Sequence, residues 1–190
     1  MPAFPRIDNY TQFFGIAATS AAAADQQCEF RIPLPRYVFG QSGTRTSVVV
    51  WEFLGIDVEP PYEGAAVNRS VQLSMSTASH AGRSAATFVS RCNEGDNIFY
   101  LNQHFPTAGT TSDFLHYYAT GGSDRIELQG HDGRGFIVVT DDVYLQLHTV
   151  NFDIAPTIRL RVFYRFVRCP LSEYVGVLQQ QQIPGLTQSV

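Results

Sequence analysis

Short runs of β-branched and aromatic residues recur along this chain, separated by proline, glycine and small polar clusters. No segment sustains the i, i+3, i+4, i+7 apolar spacing of an amphipathic helix through three turns. The runs predict strands near 26–33, 45–59, 70–78, 84–91, 97–102, 124–129, 134–140, 143–151, 157–168 and 173–179. Breaks fall at Pro33 and Pro35, Gly40 and Gly43, Pro60-Pro61, Gly109, Gly121-Gly122, Pro156 and Pro170. The stretch from Thr46 to Val58 is apolar on both faces, through Val48, Val49, Val50, Trp51, Phe53, Leu54 and Ile56, so it is expected to be a central strand covered on both sides. His131-Asp132-Gly133-Arg134 places an Asp-Gly pair between two strand-like runs, the signal of a hairpin. Ten short strands with little helix predict an all-β sandwich or barrel. Residues 103–123, rich in Gly, Thr and Ser, read as a long surface loop of the kind that carries function. The expected organisation is one domain over 1–190, with an arm at 1–24 and a tail at 183–190.

Composition narrows this picture. Charged residues make up only 16% of the 190, against 44% hydrophobic and 13% aromatic. A surface so poor in charge is either covered by partners or simply that of an apolar-rich monomer. The formal net charge of −4 gives no general attraction to nucleic acid or to an anionic membrane. All thirteen basic residues are arginine. Arginine suits interfaces and phosphates because its fork is planar and weakly hydrated; a base-composition bias in the gene would give the same result. Cys28, Cys92 and Cys169 are far apart and form no CxxC, which predicts buried free thiols rather than a zinc site. No run approaches the ~20 apolar residues of a membrane helix, so no membrane insertion is expected.

Catalytic chemistry finds little support. The five histidines form no HExxH or other metal-spaced pair. His148 alternates with Tyr144 and Gln146 and reads as a satisfied sheet residue. Gly40-Gln41-Ser42-Gly43 misses the spacing of a nucleophile elbow. Gly130-His131-Asp132-Gly133-Arg134-Gly135 has the glycines of a phosphate loop but no helix after it. Asp141 and Asp142 are a weak calcium candidate, since calcium gathers six to eight oxygens, and read first as ordinary turn formers. The expectation is a protein that is not an enzyme and needs no cofactor.

Two constellations look more useful. Alternation along the strand at 157–168 puts Arg159, Arg161 and Arg165 on one face with Phe163 between them, and Leu160, Val162, Tyr164 and Phe166 on the core face. Such a row is a candidate for gripping phosphates and stacking on bases; a face paired with neighbouring carboxylates is the alternative. Tyr174, Val175, Val177 and Leu178 are too apolar for a free tail, which predicts an ordered segment docked on its own or a neighbouring subunit.

Several of these runs occur in an order seen elsewhere. Thr46–Val58 resembles an early strand of the capsid proteins of circular Rep-encoding single-stranded DNA viruses and the related cruciviruses. Thr140-Asp141-Asp142-Val143-Tyr144-Leu145-Gln146, Arg161-Val162-Phe163-Tyr164-Arg165-Phe166 and the segment from Glu173 to Gln182 resemble three later motifs of the same family, in the same order. The resemblance spans about residues 46–182. It implies a single jelly-roll β-sandwich of two four-stranded antiparallel sheets with little helix. It further implies a homo-oligomer of roughly 60 copies or a multiple (T=1 for the smallest shell), found in the virion, with encapsidated single-stranded nucleic acid and a host receptor as partners. One departure stands out: capsids of this family begin with a long basic arm, and residues 1–30 here contain only Arg6 as a basic residue. The competing expectation is a β-sandwich carbohydrate- or receptor-binding module using the 103–123 loop.

Overall fold

The computed structural model describes residues 11–20, 23–34, 47–59, 69–105, 124–152 and 155–182. The strands are β1 (Gln12–Thr19), β2 (Ala23–Pro33), β3 (Ser47–Glu59), β4 (Arg69–Ser76), β5 (Asn97–Phe105), β6 (Asp124–Glu127), β7 (Phe136–Val138), β8 (Asp142–Phe152) and β9 (Thr157–Pro170). Two helices join them, α1 (Ala85–Phe88) and α2 (Leu171–Gln182). None of the described helices is long and apolar enough to cross a membrane.

The pairing is nested. β4 pairs with β5, β3 with β6 and β7, β2 with β8, and β1 with β9, all antiparallel. This is one long antiparallel ribbon wrapped on itself, and two further pairings, β3 with β9 and β4 with β8, close the wrap. The result is two sheets, β1-β9-β3-β6 with β7 also on β3, and β2-β8-β4-β5. β6 and β7 follow each other along the same edge of β3, so they act as one interrupted strand and each sheet has four strand positions. This is a jelly roll.

The core lies between the sheets. Trp51, Phe53, Ile56 and Val58 of β3 and Leu160, Val162, Tyr164 and Phe166 of β9 meet Val71, Leu73 and Met75 of β4 and Val143, Leu145 and Leu147 of β8. A slip in register between Phe53 and Gly55 keeps Ile56 and Val58 inward after Phe53. Trp51 packs 4.4 Å from Phe166 and 5.2 Å from Tyr164, centroid to centroid, and the Tyr164 hydroxyl donates to Gln12 Oε1 at 2.9 Å. As expected, β3 is covered on its other side too. There Val50 joins Val167 and Cys169 beneath Ile137, Val139 and Tyr174.

Four expectations need correction. Residues 84–91 are not a strand: Thr87 N–H donates to Ser84 O at 2.9 Å, closing a short helical turn. Residues 173–179 belong to α2, where Tyr174 and Gln181, seven residues apart and so on one face of a helix, both dock on the body of the sandwich. Glu173 in the first turn suits the positive end of the helix dipole. Gln12–Thr19, read as part of an arm, is an edge strand. The Asp132-Gly133 turn forms, with Gly133 at φ +72, but β6 and β7 on either side pair with β3 rather than with each other.

Candidate interaction face

The outer face of the β1-β9-β3 sheet divides into a covered half and an open half. α2 covers one end. Gln181 accepts from Val139 N–H at 3.1 Å and donates to Ile137 O, while Thr77 Oγ1 donates to the Gln181 carbonyl at 3.0 Å. Tyr174 packs inward, Val177 and Leu178 are half-buried, and Val175 is exposed. In the single chain this segment docks on its own sandwich through Tyr174, with Val175 facing outward.

Next along the face comes the loop between β6 and β7. Its glycines serve the turn and close packing: Gly133 takes the turn's positive φ of +72, and Gly135 the close approach to β3. A Cβ on Gly135 would lie 2.1 Å from Phe53 O, so only glycine lets the chain pass this near β3. Gly135 N–H donates to Glu52 Oε1 at 2.7 Å, and Arg165 donates to Gly133 O at 3.2 Å. Glu52 and Arg165 form an ion pair beneath this loop, 2% and 7% exposed respectively. Alternation does place Arg165 on the same face as Arg159 and Arg161, but the loop has closed over it. Its guanidinium is committed to Glu52, which removes it from the expected phosphate-gripping row.

The open half is a strip of aromatic rings and arginines. Arg161 lies 5.2 Å over the Phe13 ring, Phe13 stands 6.3 Å from Phe163, and Arg125 lies 5.0 Å over Phe163. Phe13 is 62% exposed, an unusual state for phenylalanine on a sheet face. Arg159 pairs with Glu59 at 3.3 Å, and Arg125 with Glu127 at 2.5 Å and Asp57 at 3.8 Å. Three arginines thus face three carboxylates, and the strip carries no surplus of positive charge. Cation–ring stacking is worth about 0.5–1 kcal/mol at exposed sites, so these contacts bias the strip toward the observed arrangement.

The remaining candidates resolve individually. Asp142 opens β8 and takes the Arg31 guanidinium at 2.6 Å, which raises the Arg31 pKa. The Asp141 carbonyl accepts from Leu34 N–H at 2.9 Å. Among the described residues these aspartates converge with no third acidic or histidine ligand. His148 is satisfied, as expected, by Asp25 at 2.7 Å and Gln72 at 3.5 Å. The thiols are free but not all buried: Cys169 is buried, Cys28 half-buried and Cys92 exposed. Burial, reinforced by nearby Glu173, pushes the Cys169 thiol up. Most of the 103–123 loop, residues 106–123, lies outside the described residues.

Sequence reasoning missed Phe13 and Arg125, whose roles depend on the pairing of β1 and β6 with distant strands. It also missed a convergence of His80, Glu94 and Asp96 on the opposite sheet. No local spacing signals that cluster.

Nested ribbon pairing, two four-position sheets and a core between them define the jelly-roll class. No family model and no curated protein matches the chain. Solved structures do. The Merkel cell polyomavirus VP1 in complex with GD1a oligosaccharide matches with a TM-score of 0.57 at 6% identity, over 87% of this chain and 98% of that one. The unassembled Washington University polyomavirus VP1 pentamer gives 0.53 at 9% identity, over 90% and 98%. The human polyomavirus 7 VP1 pentamer gives 0.53 at 10%, over 87% and 99%. The chain therefore has the fold of viral capsid proteins of the VP1 kind.

Proposed function

We propose that this chain is a non-enzymatic viral coat protein that assembles into a closed icosahedral shell of roughly 60 copies, or a multiple of that number, and so resides in the virion. The observation that carries the reading is the jelly-roll fold built by the nested strand pairing, which matches a VP1 capsid protein with a TM-score of 0.53 over 90% of this chain and 98% of that one. The exposed strip at Phe13, Phe163, Arg161 and Arg125 supports it, because aromatic residues and arginine are what subunit interfaces enrich. We assign this strip to contact between neighbouring subunits. The ordered set of motifs, which falls on β3, β8, β9 and α2, supports a finer placement among the circular Rep-encoding single-stranded DNA viruses and cruciviruses.

Packaged nucleic acid is a weaker part of the reading. Of the three arginines first considered, only Arg159 and Arg161 remain exposed, and Arg159 already has a carboxylate partner. Two contacts would give a salt slope near −1.4, at about −0.7 per single-strand contact, and only repetition around a shell would make that grip substantial. Glycan recognition is the alternative function, since several VP1 neighbours are complexes with oligosaccharides. A coat protein and a receptor-binding protein are compatible roles for one chain. Negative-stain microscopy of purified protein separates the primary reading from the alternative. Closed particles of uniform diameter are expected, and replacing Phe13 by Ser is expected to reduce their yield. A protein that binds oligosaccharide yet forms no particle in any condition would favour the binding-module reading instead.

A further inference from the structure

On the sheet opposite the open strip, the connection from β4 to β5 folds back over the outer face. Its ends meet where Thr77 N–H donates to Asp96 O at 2.9 Å, and Asn97 N–H to Glu94 O at 3.1 Å sets the turn carrying both acidic residues. Ser90 N–H donates to Ser74 Oγ at 2.9 Å and fixes the connection to β4 beneath it. His80 and Asp96 are both fully buried there.

The hydrogen bonds of His80 define its chemistry. Nδ1 lies 3.0 Å from the Phe88 carbonyl, which only accepts, so Nδ1 carries a proton. In the neutral ring Nε2 then presents a lone pair. That lone pair faces Asp96 Oδ2 at 2.7 Å and Glu94 Oε2 at 3.7 Å, two carboxylates that also only accept. Glu94 Oε2 already accepts from Arg83 and Ser90, but the 2.7 Å approach of Nε2 to Asp96 Oδ2 requires a proton or a cation between them. A proton on Nε2 would satisfy Asp96 Oδ2, but Asp96 Oδ1 is also buried and has no partner. Charge points the same way. The carboxylates of Glu29, Glu94 and Asp96 stand against the guanidinium of Arg83, leaving two negative charges among these groups.

We propose that His80 Nε2, Glu94 and Asp96 form a binding site for a divalent transition-metal cation of the zinc class. An imidazole with two carboxylates selects zinc and its first-row neighbours over calcium and magnesium, which prefer oxygen alone. Ligands about 2.0–2.1 Å from a tetrahedral ion lie roughly 3.3–3.4 Å apart. The distances of 2.7 and 3.7 Å bracket that value, so small side-chain shifts would complete the site. A second contact from the same carboxylate to the ion would satisfy Asp96 Oδ1, which is buried and has no hydrogen-bond partner. Outer partners already orient the ligands: Phe88 O holds His80, and Arg83 and Ser90 hold Glu94 at 3.2 Å each. Glu29 accepts from the His80 backbone N–H at 2.6 Å. The ion would pin the β4–β5 connection to its sheet. The proposal rests on this cluster alone and stands or falls independently of shell assembly.

The test uses the full-length protein, stripped with a chelator and dialysed against cobalt(II) and, separately, against zinc. Binding at about one ion per chain, visible ligand-field bands from cobalt, and displacement of cobalt by zinc are the expected results, with the thermal midpoint rising on metal addition. Glu94→Gln, at the more accessible edge of the cluster, is expected to abolish the bands while leaving a folded protein. Asp96→Asn provides a second ligand variant. Stripped wild-type protein that takes up no metal and shows no cobalt bands would overturn the proposal. Bands that persist in both Glu94→Gln and Asp96→Asn would place any metal elsewhere and overturn it equally.

Discussion

Replacing Arg165 by Met tests whether this arginine is a buried structural group or one more member of an exposed row. Arg165 and Glu52 are 7% and 2% exposed, so the substitution strands a buried carboxylate whose remaining donor among the described residues is the Gly135 N–H. At an effective dielectric near 20, unit charges about 4 Å apart interact by about 4 kcal/mol. Removing one partner of a buried pair costs about 3–5 kcal/mol, because the other charge stays desolvated. Arg159 is the internal control. It pairs with Glu59 while both remain 61% exposed, so Arg159→Ala is expected to cost about 0–1 kcal/mol. Converting Glu52 to Gln in the Arg165→Met background removes the stranded charge and keeps an acceptor for Gly135. That double variant is expected to recover at least about 2 kcal/mol of the loss. Denaturant unfolding of unassembled subunits measures these differences. Trp51 is the chain's single tryptophan and lies in the core, so its fluorescence reports the transition directly. Equal costs for Arg165→Met and Arg159→Ala, within about 0.5 kcal/mol, would refute the buried pair and return Arg165 to the exposed row.

Three further outcomes are expected. Trp51→Ala should cost about 3–5 kcal/mol, since it empties a site lined by Tyr164 and Phe166; an unchanged thermal midpoint would show that this face of β3 is not core. Gly135→Ala should destabilise by at least about 1–3 kcal/mol, because its Cβ would meet Phe53 O at 2.1 Å, and wild-type stability there would contradict the close approach of the β6–β7 loop. Thiol titration at mildly alkaline pH should modify Cys92 first and Cys169 only on unfolding, because burial and Glu173 keep the Cys169 thiol protonated to higher pH; rapid labelling of Cys169 in folded protein would show that α2 does not cover it.

The elements most legible in the sequence were those whose own side chains decide their place. β3 is apolar on both faces and is covered on both. β9 alternates, and Leu160, Val162 and Tyr164 point inward as the alternation requires. The failures share a different cause. The segment around Tyr174, Val175 and Val177 has the composition of a strand, yet it forms α2 because Tyr174 and Gln181 find partners on a surface built by β3, β7 and β9. Tertiary contacts overrode local propensity. β1 contains Gly15, Ala17 and Ala18 and signals little by itself; its partner β9 supplies the order. Alternation correctly gave the face of Arg165 but not its burial, which depends on a loop about 30 residues upstream folding back through Gly133 and Gly135. The convergence of His80 with Glu94 and Asp96 was illegible for the same reason, since it exists only once the β4–β5 connection has closed over its sheet.

The central claim is that this jelly roll builds a shell, and sedimentation velocity of the purified full-length protein tests it most directly. Across a matrix of salt concentration and pH, the account expects at least one condition in which the protein sediments as a narrow species of roughly 60 subunits or a multiple. A protein that keeps the mass of a single 190-residue chain in every condition would contradict it.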